Sequence, residues 1–270
     1  MSSRSNPTLP VRNREVHRRF SVVAALVRRD LRARYSGAWS SLFWSIGLPL
    51  LQLGVYTFLF SVVLRIEFPD GGDTHYALYL FCGILPWSVL QEALFRGTGS
   101  LREHGALLRW RSFPPLYVPL YLVIAAHLNE CFGLGLLLLL SFFLGHLASS
   151  VLLLPFFLLF QFFFVFGLTL LLSAVGLFFP NAIHFVSAGT TIWIYLTPIF
   201  YPPALVPERF GLLIAANPLS HLVGAYRALL LEGRMPTVGA FLFFPMSALL
   251  LFGLGVFLFG RATRDLGDLL

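Results

Sequence analysis

"VLLLPFFLLFQFFFVFGLTLLLSAVGLFF", residues 151–179, runs for 29 positions without a charged side chain. A bilayer's hydrocarbon core is roughly 30 Å thick and takes about 20 apolar residues of α-helix to cross. The stretch is long enough, and it is hydrophobic on every face, which a bilayer accepts and water does not. The remainder of the chain points the same way. Of 270 residues 57% are hydrophobic and 11% charged, and the mean hydropathy is +0.81. Such a composition cannot surround a soluble core with a polar skin, so the chain reads as an all-α integral membrane protein.

Five further segments reach spanning length: 41–64, 76–94, 116–144, 182–201 and 237–260. Residues 210–231 are different, because Asn217-Pro218 divides them and Arg227 interrupts their second half. Neither half can span, and the pattern predicts a re-entrant helical hairpin between spans five and six, tolerated only where protein or water receives the broken backbone. The organisation expected is therefore a segment at 1–40 with an amphipathic helix, a six-span domain at 41–260 and a tail at 261–270. The first 40 residues are too rich in arginine for a cleaved signal peptide, which leaves the first span as a retained anchor.

All 19 basic residues are arginine. With no lysine there is no P-loop, so any ATP chemistry must sit on another chain. Fifteen of the arginines (nine in 1–40, then Arg96, Arg102, Arg109, Arg111, Arg261 and Arg264) fall on one side of a six-span arrangement. On the other side Arg65, Arg209, Arg227 and Arg234 are nearly balanced by acids. Positive flanks stay in the cytoplasm, which puts both termini there. Cys82 and Cys131 lie in apolar segments and read as packing residues.

On a helix over 14–35, Val16, Phe20, Val23, Val27 and Leu31 form one stripe, while Arg14, Arg18, Arg28, Arg29 and Arg32 face away. Arg19 and Arg34 break the pattern. A helix of this kind lies in the interface, with its stripe in the acyl boundary. Its arginines either set topology alone or also form a docking surface, and the pattern does not separate the two.

Four stretches then carry a family resemblance. They are "RDLRARYSGAWSSLFWSIGLPLL" (29–51), "YLFCGILPWSVLQEAL" (79–94), "TPIFYP" (197–202) and "NPLSHLVGAYRALLL" (217–231). In order and together they resemble the membrane subunits of bacterial ABC exporters for O-antigen, teichoic acid and related lipid-linked polysaccharides. Asp30, Arg34, Tyr35, Trp44 and Pro49 match the family's approach to its first span, whereas Ser36, Ser40, Ser41 and Leu48 depart from it there, and Pro180-Asn181 departs from the family's usual Arg-Asp after the fourth span. The resemblance implies a homodimer in the inner membrane, bound to two ATP-hydrolysing subunits that hold ATP and Mg. It also implies an undecaprenyl-linked glycan as substrate, with no cofactor, metal, catalytic residue or nucleic acid on this chain.

Under that resemblance the first and fifth spans line a channel, and Tyr56, Tyr79, Trp193, Tyr195 and Phe200 become candidate wall residues. Aromatic faces can stack on sugar rings while a polymer slides, and Ser187, Thr190 and Thr191 add exchangeable hydrogen bonds. Pro198, Pro202, Asn217 and Pro218 become elements of an external gate. The loop at 96–115 resembles the family's coupling helix, so Arg102, Glu103, His104, Leu107 and Arg109 join Arg28, Arg29 and Arg32 as candidate ATPase contacts, against the plainer reading of a solvated connector. Glu92, Arg96 and Arg102 read most simply as snorkelling side chains, and Trp87 and Tyr201 as an interfacial belt. Glu130, beside His127 and Asn129, either faces a wet channel or bonds a neighbouring helix. Two alternatives stand beside the exporter of glycans: an exporter of a drug or small lipid, and a membrane transferase using His127, Glu130 or Glu92.

Overall fold

The computed structural model describes residues 11–35, 73–109, 113–143 and 148–264, with isolated positions at 51, 54, 55, 58 and 145. Most of the first expected span, including Trp44, Pro49 and Tyr56, lies outside the described residues. Within them the regular elements are helical: α1 (Val11–Tyr35), α2 (Asp73–Glu103), α3 (Gly105–Leu108), α4 (Tyr117–Phe143), α5 (Leu154–Phe178), α6 (Ala182–Leu196), α7 (Gly211–Ala215), α8 (Pro218–Leu230) and α9 (Val238–Ala262). Helices α2, α4, α5 and α9 are long and apolar enough to cross a membrane.

Side-chain pairs give their directions. Tyr121 meets His104 and Gly133 lies against Leu85, so α4 runs antiparallel to α2. Ser173 bonds the carbonyl of Gly97 and Arg102 that of Leu177, while Trp193 touches both Trp87 and Phe164; α5 therefore runs parallel to α2. Phe157 packs on Phe241, Phe163 on Phe252 and Gly167 on Gly255, which makes α9 parallel to α5. Up-and-down alternation through apolar spans follows from helices satisfying their own backbone and returning by short connections.

Helix α5 is the centre of the packing, with α2 and α9 as its main partners. Two glycine contacts allow this. A Cβ at Gly255 would collide with the Gly167 carbonyl, and one at Gly176 would collide with the Thr98 carbonyl. Lipid gives helices no hydrophobic reason to associate, so close backbone approach at small residues supplies the attraction instead. Outward faces keep their apolar side chains, such as Leu250 at 73% exposed on α9, as a bilayer-facing surface requires.

The breaks explain the differences from expectation. The fifth expected span is helical only over Ala182–Leu196, 15 residues or about 22 Å of helix. Pro198 and Pro202 remove backbone donors and push the residues before them into extended geometry, and Thr197 has φ −92° and ψ 131°. Downstream, Asn217 caps α8, accepting from the Leu219 amide at 3.1 Å, with Pro218 in the first turn. Thr237 begins α9 in the same way, its hydroxyl 3.4 Å from the Ala240 amide. Helix α1 packs against α4, and Val23 and Val27 are buried. This described part of its stripe meets protein rather than lipid, because α4 offers an apolar face beside it.

Candidate functional site

The turn after α6, residues 197–202, is pinned from three directions. Arg227 on α8 is 4% exposed and donates to the carbonyls of Pro198 and Ile199, each at 2.7 Å, and of Tyr79 at 3.3 Å. Its guanidinium lies 3.4 Å from the centre of the Tyr79 ring. Among the described residues no carboxylate pairs with it, so carbonyl dipoles and an aromatic face balance the buried charge. From α2, Tyr76 donates to the Phe200 carbonyl (3.2 Å) and Tyr79 to that of Tyr201 (3.1 Å). From the start of α8, the Asn217 amide donates to Thr197 Oγ1 (2.9 Å) while its oxygen accepts from Trp193 Nε1 (3.1 Å). Residues far apart in sequence thus satisfy a buried non-helical backbone segment, as burial demands.

The candidate gate residues Pro198, Asn217 and Pro218 meet at this turn, and Pro202 closes it. The aromatic candidates separate. Phe200 is 3% exposed and packs inside the protein, near Tyr195 (5.7 Å between ring centres). Tyr195 is 62% exposed on α6. Trp193 is half-buried, edge-on to Trp87 at 6.2 Å, and Tyr79 serves the clamp. The belt reading of Trp87 does not hold, since the side chain is buried in the core beneath α6. Tyr201 is half-buried and its hydroxyl donates to the Tyr195 carbonyl. Thr190 and Thr191 return their hydroxyl protons to carbonyls of their own helix. Glu208 and Arg209 are exposed, with Arg209 over the Phe210 ring.

At the opposite end α1 docks on α2 through four charges. Asp30 accepts from Arg34 Nε (3.0 Å) and from both terminal nitrogens of Arg96, while Glu92 accepts from Arg34 Nη2 and from Arg96 Nη1 (3.1 Å). This replaces snorkelling for Glu92 and Arg96, and it explains why Arg34 leaves the basic face of α1. Burial works to raise the Asp30 carboxyl, but hydrogen bonding and charge from Arg96, then Arg34, outweigh it and hold the group below its ordinary value. Arg28, Arg29 and Arg32 remain exposed.

The connector after α2 is short and held. Arg102 donates twice to the Leu177 carbonyl, at 3.0 and 2.7 Å, capping the carbonyl end of α5. His104 Nδ1 donates to the Ser100 carbonyl (2.9 Å) and its Nε2 lies 2.9 Å from the Tyr121 hydroxyl. Leu107 is half-buried on the single turn of α3, and Glu103 and Arg109 are exposed.

Sequence reasoning did not assign the clamp to Arg227, nor did it find Gln161 and Tyr226. Glu130 bonds neighbouring helices: it is 3% exposed, with Gln161 Nε2 at 3.0 and 2.9 Å from its two oxygens and the Tyr226 hydroxyl at 3.0 Å. The available signal was a lone polar side chain inside an apolar run, as Gln161 is in "FFLLFQFFFVF".

Four membrane-length helices around a proline turn, preceded by a basic helix fastened by ion pairs, define a multi-pass helical membrane protein. The family model for the ABC-2 type transporter matches residues 21–231, from within α1 to just beyond α8, and the chain belongs to that family of ABC transporter permeases. It is 30% identical over 226 residues to an O-antigen export system permease protein RfbA of Myxococcus xanthus, covering 83% of this chain and 85% of that protein. Two proteins of the same description from Klebsiella pneumoniae are 29% and 28% identical, over 79% and 80% of this chain and 82% of each relative.

Proposed function

We propose that this chain is the permease of an ATP-driven exporter that carries a lipid-linked polysaccharide of the O-antigen type out of the cytoplasm across the inner membrane. Similarity over about four-fifths of the chain to permeases described as O-antigen exporters carries the reading. In it two copies form the channel and two separate subunits hydrolyse ATP with Mg. Each copy has six spans, the undescribed first one included, and both termini are cytoplasmic. The family's association with an ATP-binding subunit and the exposed Arg28, Arg29 and Arg32 beside the α3 connector support a docking site at that end, with Glu103, His104, Leu107 and Arg109 at its rim. Arg102 supports the connector by capping α5.

The opposite end is the gate. The clamped turn with α7 and α8 forms the re-entrant element, and Pro198, Pro202, Asn217 and Pro218 set its shape. Tyr195 and Trp193 on α6, Tyr79 on α2 and Tyr56 of the first span supply sugar-stacking faces at the channel wall, whereas Phe200 stabilises the turn from inside. Deletion of the gene, followed by electrophoresis of surface glycans, tests the substrate class. Loss of the long-chain glycan, restored by the intact gene, is expected. Unchanged glycans together with lost resistance to a drug would replace this reading with a small-molecule exporter.

A further inference from the structure

We propose that Glu130 carries a proton and closes, with Tyr226 and Gln161, a one-way ring of three hydrogen bonds that sets the rotation of α8 and so positions Arg227 against the turn. The ring joins α4, α5 and α8, all three side chains being buried. Its edges are short. Tyr226 Oη is 2.6 Å from Gln161 Oε1 and 3.0 Å from Glu130 Oε1, and Gln161 Nε2 is 3.0 and 2.9 Å from the two carboxyl oxygens.

The hydrogens can be counted. Tyrosine has one to give, and at 2.6 Å it goes to Gln161 Oε1, which can only accept. The amide hydrogens of Gln161 go to the carboxyl group. The remaining edge, between Tyr226 Oη and Glu130 Oε1, then has no hydrogen unless Glu130 supplies it. An ionised carboxylate would leave two oxygen lone pairs facing each other in a dry interior.

Turning the Gln161 amide over does not change the result. Its oxygen would then face both carboxyl oxygens, and again only a carboxylic acid provides the missing hydrogen. Among the described residues no cation pairs with Glu130, whose hydrogen bonds go to Gln161 and Tyr226, and neighbouring Arg227 spends its donors on the carbonyls of Pro198, Ile199 and Tyr79. Other titratable groups on the elements around it are engaged elsewhere or are thiols: His127 Nδ1 is bonded to the Val123 carbonyl, His221 on α8 to that of Ala215, Tyr76 and Tyr79 on α2 donate to the turn, and Cys131 on α4 and Cys82 on α2 are free thiols.

Tyr226 and Arg227 are consecutive, about 100° apart around α8. Tying the first to α4 and α5 aims the second at the turn, which makes Glu130 and Gln161 positioning residues. The consequence for export rests on the permease reading; the proton on Glu130 does not.

The test uses the full chain purified in detergent at neutral pH. The infrared difference between wild type and Glu130→Gln is expected to show the carbonyl stretch of a protonated carboxyl group, lost in the variant. A carboxylate band in its place overturns the proposal. Glutamine at 130 can still donate to Tyr226 and accept from Gln161, so Glu130→Gln is expected to fold and keep the wild-type unfolding midpoint; failure to fold counts against the ring. In cells, Glu130→Gln keeps surface glycan within about twofold of wild type, whereas Tyr226→Phe, which breaks two edges, loses roughly tenfold. Equal export by Tyr226→Phe overturns the positioning role. Absence of glycan export from wild type as well would refute the permease reading and leave the infrared result to decide the ring.

Discussion

Removing Arg227 would leave the carbonyls of Pro198 and Ile199 without their donor in a buried site, each unmet group costing about 1–3 kcal/mol. Arg227→Ala is therefore expected to destabilise the protein by roughly 3 kcal/mol, and Arg227→Lys by less, because an ammonium reaches fewer acceptors and loses the flat contact with Tyr79. Thermal unfolding of the detergent-solubilised chain reads this directly. An unchanged midpoint in Arg227→Ala would show that the clamp does not hold the turn. At this scale the sequence was only partly legible. Arg227 stood out as an interruption of an apolar run, but its partners are backbone carbonyls in two other segments, and no residue type in the sequence announces a carbonyl that has lost its helical donor.

Among the elements, helix limits were readable wherever local chemistry sets them. The Asn217-Pro218 cap and the Thr237 cap begin α8 and α9 where expected. Helix α6 stops at Leu196 because the prolines of "TPIFYP" act on the backbone even where the side chains remain apolar. The docking of α1 was hidden for the reason that hid the clamp: Glu92 and Arg96 sit four residues apart on one helix, as do Asp30 and Arg34 on another, and their pairing depends on how the helices meet. Even a fully exposed pair of this kind is worth about 0.2–1 kcal/mol alone, and these half-buried pairs form a closed network. Asp30 titrates below its ordinary value of 3.8 when docked, so its contribution is complete above that pH and disappears as pH falls through the lowered value. Attachment of α1 should therefore be constant from neutral pH down to about 5 and weaken only in stronger acid. Asp30→Arg should free α1 at neutral pH, and adding Arg96→Asp should partly restore it. Limited proteolysis within α1 measures both, and a wild-type cleavage rate in Asp30→Arg would contradict the quartet's role.

For the whole molecule, the composition and six apolar segments led directly to a helical membrane protein, since those quantities do not depend on tertiary contacts. The arrangement around α5 did not follow from them, because its contacts at Gly167, Gly176 and Gly255 become visible only when two backbones approach. Under the proposed function the two ends divide the labour: the turn clamped by Arg227 serves as the gate at one, and the basic helix α1 at the end of the short connector receives the ATPase at the other. The most direct test is purification of the tagged full chain from its native membrane, with the mass and composition of the particle determined. The account predicts two copies of this chain with two copies of a P-loop ATPase, and loss of the ATPase when Arg28, Arg29 and Arg32 are all changed to Glu. A stable, transport-active particle containing this chain alone would contradict it.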